Sequence, residues 1–263
     1  MFRPTRAALR FIHVLSTSVL LVLTARPLAA QRTTYTNFNS WYAFGADIAL
    51  NARWGLLLDI QDRRSGPVDE TQAVFLRPAI TYALSPNVRL GYGVSFSESY
   101  PYGKIPNPYA APEWRSFEQI VISHNAGHVA FAHRYRLEQR EQGRRGADTS
   151  DHAITHYVRS SRVRYQVKLT LPLRGEAVDV GEPYLTGYDE LMVGFGANVQ
   201  NNVFDQNRAA IGLGWRFASA WRMELGFLEQ LLLKPNGRDL ERNHTLTVGL
   251  YYLRPPKRAG PPQ

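Results

Sequence analysis

Residues 73 to 97, AVFLRPAITYALSPNVRLGYGVSFS, decide the fold. The even positions of the first half are Val74, Leu76, Pro78, Ile80, Tyr82 and Leu84. The odd ones carry Ala73, Arg77, Ala79, Thr81 and Ala83 around a single bulky Phe75. After Ser85-Pro86-Asn87 the pattern repeats: Val88, Leu90, Tyr92, Val94 and Phe96 face one way, Arg89, Gly91, Gly93, Ser95 and Ser97 the other. A period of two is the period of a strand, and Ser-Pro-Asn is turn chemistry, so the segment predicts a β-hairpin with one greasy face and one small or basic face.

Working outward, the same alternation returns over residues 128–140, 162–171, 208–217 and 245–252. Less regular strands fit near 37–50, 54–63, 114–124, 186–199 and 221–232. No stretch beyond residue 30 keeps a helical period. A soluble sandwich would also alternate, but here the polar face is rich in arginine and small residues while the other is aliphatic and aromatic. Several strands reach about ten residues, the length of a tilted membrane-crossing strand. Aromatic residues near strand ends (Trp41, Tyr42, Trp114, Tyr157, Trp215, Trp221, Tyr251 and Tyr252) suit an interfacial girdle. The fold expected is all-β, an antiparallel transmembrane β-barrel over residues 31–253. Eleven strands can be counted, but single-chain bacterial barrels have an even number, so about 12 strands are expected, with 10 as the alternative.

Residues 1–30 read as a signal peptide. The basic opening MFRPTRAALR precedes an apolar stretch broken by His13, Ser16, Thr17 and Ser18, and small residues close it at Ala29-Ala30. The chain's net charge of +9 includes Arg3, Arg6, Arg10 and Arg26 of this segment, with no acid beside them. A basic balance that belongs partly to an export signal argues against a nucleic-acid partner. The absence of cysteine excludes thiolate chemistry, cysteine–zinc sites and disulfides, and mean hydropathy of −0.31 excludes a helical membrane bundle. Residues 254–263 form a Pro-rich tail, expected in the periplasm.

In sequence order, LLLDIQDRR, LRPAITY with LGYGVSF, EWRSFEQ, HRYRLEQR, DELMVGF and QNRAAIGLGW together resemble the domain of unknown function 2490 family of bacterial outer-membrane barrel proteins. The likeness runs from about Trp41 to Tyr252. It implies a barrel in the outer membrane and implies no activity.

Strand parity sends Arg77, Arg115, Arg134, Arg136, Glu138, Arg140, Arg162, Arg164, Glu190 and Arg208 into the lumen, with Arg63, Arg89, Lys168, Arg216, Arg222, Asp47, Asp59 and Glu224. Glu118 breaks parity, and a bulge is expected to return it. Cations outnumber acids in this set. It reads either as a packed ion-pair network filling a narrow barrel or as the wall of a narrow anion-selective channel. The expected contacts are outer-membrane lipid and small anions, without metal or cofactor. An outer-membrane lipid hydrolase is the competing class, resting on Ser123, His124, His128 and His133. Adjacent Ser123 and His124 point to opposite faces of a strand, which argues against it. Asp148, Asp151, His152 and His156 belong to a solvated loop, and the Tyr- and Pro-rich stretch 99–112 to a semi-rigid outer surface.

Overall fold

The computed structural model describes residues 32–146, 153–199 and 201–255. The signal segment 1–30 and the tail beyond residue 255 lie outside the described residues. Eleven strands occur among the described residues: β1 Thr33–Ala49, β2 Trp54–Ser65, β3 Thr71–Ser85, β4 Val88–Ser99, β5 Ala111–Ala126, β6 Val129–Arg145, β7 Ile154–Pro172, β8 Pro183–Phe195, β9 Phe204–Trp215, β10 Trp221–Leu233 and β11 Asp239–Arg254. They close into one barrel in chain order. Every pair is antiparallel except the closing one, where β1 runs parallel to β11 from Thr33 opposite Asp239 to Ile48 opposite Arg254.

That pair corrects the expected count of 12, or 10. An even number is needed only if the first and last strands meet antiparallel. A parallel ladder satisfies the same backbone groups and leaves no edge. The barrel therefore begins at the rim carrying the loops after β2, β4, β6, β8 and β10 (the loop rim) and ends at the opposite one (the turn rim).

Hydrogen-bonded partners traced around the wall from Ala49 run through Gly55, Thr81, Gly91, Gln119, Arg136, Arg164, Met192, Gln206, Leu232 and Glu241, and return to β1 at Tyr35. This stagger tilts the strands by roughly 40°. Tight turns end the hairpins: Asn51 Oδ1 accepts from the amides of Arg53 and Trp54 at 2.9 and 2.8 Å, and Ser85 Oγ accepts from Val88 N at 3.1 Å.

Alternation then sorts the side chains. Outward positions are exposed and apolar around the wall, among them Leu56, Ile80, Val94, Ile122, Leu169, Leu213, Leu225 and Val248. Aromatic pairs flank them: Trp54 with Tyr82 at 4.8 Å and Trp221 with Tyr252 at 5.0 Å towards the turn rim, Phe96 with Trp114 at 4.8 Å towards the loop rim. Two expected girdle residues turn inward. Trp41 is buried in the lumen, and the Tyr251 ring lies against Gly45 and Gly249. Gly214 likewise accommodates Tyr184: a Cβ there would stand 2.2 Å from the ring.

Candidate functional site

The lumen is polar because odd and even positions separate so cleanly on β6 and β7. Arg134, Arg136, Glu138 and Arg140 share the inner face of β6, and the register sets Glu138 opposite Arg162 and Arg136 opposite Arg164. Like charges opposite one another destabilise a sheet, and here carboxylates two residues along resolve them. Glu138 accepts from Arg162 Nε at 2.8 Å and Nη2 at 2.5 Å, and from Arg164 Nη1 at 2.7 Å. Arg115 faces Arg140, and Glu113 takes both, at 2.5 and 2.6 Å. Glu190 lies opposite Arg208 and accepts from Arg134 at 2.8 Å and Arg164 at 2.7 Å, with Arg208 at 3.7 Å. Asp205 closes the network on Arg162. Planar guanidinium forks suit this sharing, since each presents five donors to several oxygens.

Rings hold other cations. Arg63 lies 3.7 Å from the Trp41 ring and 4.2 Å from Phe75, and Arg136 lies 4.1 Å from Phe117. Towards the turn rim, Arg77 pairs with Asp59 at 3.0 Å, Arg89 with Asp47 at 2.7 Å and Lys168 with Glu224 at 3.2 Å.

Three hollows open along the lumen beside this network, the smallest of about 120 Å³ sharing Arg63 and Arg208 with one neighbour and Gln61 and Tyr251 with the other. A chamber of about 290 Å³ on the loop-rim side is lined by Arg162, Arg208, Glu113, Asp205 and Glu241 among others. Another of about 290 Å³ on the turn-rim side is lined by Asp47, Asp59, Arg77, Arg89, Arg134, Arg136 and Lys168 among others. The loop after β4 folds across the first chamber's mouth. Tyr102 donates to Glu241 at 3.1 Å and the Lys104 amide donates to Asn37 at 3.2 Å, while Lys234 meets Glu241 at 2.7 Å. Burial, with Glu241 beside it, pushes the Tyr102 phenol well above its ordinary value. Part of the stretch expected to form an outer surface is thus turned inward.

Ten of the residues singled out from the sequence come together in the lumen: Arg77, Arg115, Arg134, Arg136, Glu138, Arg140, Arg162, Arg164, Glu190 and Arg208. Glu118 does not join them. No register shift occurs along β5, so strict parity keeps Glu118 on the exposed outer face, where Gln139 donates to it at 3.0 Å. Arg216 also leaves the set: it sits past the end of β9 and donates to the carbonyls of Val178 and Ser219 at 2.8 and 2.9 Å.

Sequence reasoning missed Glu113, Asp205 and Glu241. Glu113 and Glu241 lie just before the strands read from 114 and 245, where β5 and β11 begin earlier, and each continues its strand's inner parity, with Arg115 and with Asn243. Asp205 follows a register shift at Met192/Val193, so both it and Gln206 are buried. Only Glu113 and Glu241 could have been found, by carrying the alternation further.

His124 and His133 of the hydrolase reading stack instead of forming a relay. His124 lies 4.9 Å from Phe131 and 5.2 Å from His133, and His133 Nδ1 meets the Tyr165 hydroxyl at 2.9 Å. Among the described residues no cluster of three or more potential ligands could hold a metal; Asp148, Asp151 and His152 lie outside them.

A closed β-barrel of one parallel and otherwise antiparallel pairs, with an ion-paired interior, is the class these features define. A family model described as "Protein of unknown function (DUF2490)" matches residues 38–241, and the chain belongs to that family. No curated protein and no solved structure matches it.

Proposed function

We propose that the chain is an outer-membrane β-barrel whose ion-paired lumen is closed to general solutes and offers at most a narrow path to small anions. The observation that carries the membrane assignment is the outer wall. Exposed aliphatic side chains encircle it between aromatic pairs, whereas soluble monomers rarely expose contiguous apolar patches beyond a few hundred Å². A closed wall has no backbone edge to desolvate, as hydrocarbon demands. The reading of residues 1–30 as an export signal supports the same location.

The lumen supports the second half. Small barrels are filled by their side chains, while roughly 16 to 18 strands are needed for an aqueous channel. Here Glu113, Glu138 and Glu190 each hold two or three arginines, so cations exceed acids and the residual potential favours anions. Refolded into lipid vesicles, the chain should migrate anomalously on gels until heated. The vesicles should exclude sugars and pass chloride ahead of potassium. A chain that stays dispersed without detergent, or potassium passing first, would overturn this reading.

A further inference from the structure

We infer that the turn-rim chamber is a binding site for a single multivalent oxyanion of the phosphate class, held by Arg134 and Arg136. The walls of this chamber carry five cations, Arg77, Arg89, Arg134, Arg136 and Lys168, against two carboxylates, Asp47 and Asp59. The carboxylates are used: Asp47 by Arg89 and Asp59 by Arg77, while Lys168 has Glu224.

What remains is a pair of guanidinium groups short of negative charge. Arg136 donates through Nε and Nη2 to the neutral Gln119 oxygen, at 3.1 and 2.7 Å. Its nearest carboxylate, Glu138, is 3.9 Å away and already taken by Arg162 and Arg164. Arg134 reaches only Glu190 Oε1, the oxygen that also accepts twice from Arg164.

Buried charges without full compensation are costly, so an oxyanion that brings negative charge to Arg134 and Arg136 is favoured there. Arg134 and Arg136 lie two residues apart on one face of β6, about 7 Å along the strand, a spacing from which two forks can converge on one tetrahedral anion. Arginine forks favour oxyanions over a spherical ion such as chloride. A space of about 290 Å³ accommodates such an anion together with waters. The inference rests on the proposed function only for the anion's entry from the turn-rim side.

The test is calorimetry on the full refolded barrel in detergent, titrated with sodium phosphate at pH 7 and with ionic strength held by sodium chloride. The expected result is a one-site isotherm. R136Q should weaken it at least tenfold, and R144Q, in the other chamber, should leave it unchanged. Because R136Q could impair folding, Gln119→Glu gives an independent arm. It places a carboxylate on Arg136, so it should raise the unfolding midpoint and weaken phosphate binding at least tenfold. Absence of saturable binding in the native chain, or binding unaltered in both R136Q and Gln119→Glu, would overturn the inference. Since no transport is needed for this readout, a barrel that binds phosphate yet passes potassium ahead of chloride would refute the conduction reading alone.

Discussion

The ion-paired centre of the lumen makes a quantitative demand on stability, tested most sharply at Glu138. This carboxylate is 1% exposed, and its partners Arg162 and Arg164 are 3% and 5% exposed. It accepts three charge-assisted hydrogen bonds from them. Glu138→Gln keeps the volume but removes the charge and one of two accepting oxygens, leaving the amide's NH₂ facing a guanidinium. Removing one partner of a buried ion pair costs about 3–5 kcal/mol. Arg162 retains Asp205 and Arg164 retains Glu190, so the loss expected is at the lower end, about 3 kcal/mol. With a urea slope of about 2 kcal/mol per molar, the unfolding midpoint should fall by roughly 1.5 M. The assay is urea unfolding of the vesicle-inserted barrel followed by tryptophan fluorescence. Glu141→Gln is the internal reference, because it breaks the Glu141–Arg159 pair on the outer surface, 44% and 82% exposed, where such pairs contribute under about 1 kcal/mol. Equal, small shifts for the two substitutions would refute the argument, since they would mean that water reaches Glu138 as freely as Glu141.

Three further outcomes follow from the same geometry. Glu118→Leu should stabilise the vesicle-inserted barrel, by about 1 kcal/mol, because it removes a carboxylate from an apolar outer wall; a loss of stability in the same urea assay would argue against its outward placement. Gly214→Ala should destabilise by about 1–3 kcal/mol through its collision with Tyr184, a loss that the additional Tyr184→Leu substitution should partly relieve. The Tyr102 phenol, held neutral by burial and Glu241, is raised in the folded state. Its contribution to stability is therefore complete below the ordinary tyrosine range near pH 10 and is lost as pH climbs towards the raised folded value. Ultraviolet titration should therefore show the same number of tyrosines ionising near pH 10 in the native chain and in Tyr102→Phe, and one fewer in the variant would contradict this.

How far the sequence carried the account differs from strand to strand. The β3–β4 hairpin was legible because bulky and small residues alternate with Phe75 the one exception and a turn tripeptide separates the two runs. The inward set on β6 and β7 was legible for the same reason: charges every second residue can share only one face. Strand number was not, because the direction in which β1 meets β11 depends on closure of the whole wall and leaves no local trace in either strand. Parity also outperformed the intuition that a charge must turn inward. Glu118 sits at an outward position and stays there, with Gln139 for company. Asp205 shows the reverse case, where a register shift buries two consecutive residues that alternation would have split. Pairing inside the lumen is likewise non-local, since the sharing of Glu113 by Arg115 and Arg140 depends on the registers of two strand pairs.

A membrane barrel whose interior is closed by its own ion pairs and biased towards anions has a distinctive electrical signature, read by single-channel recording of the refolded chain in planar bilayers under a potassium chloride gradient. No large steady opening is expected, and any small current should reverse on the chloride side. A large, unselective open channel, or a reversal potential on the potassium side, would contradict it.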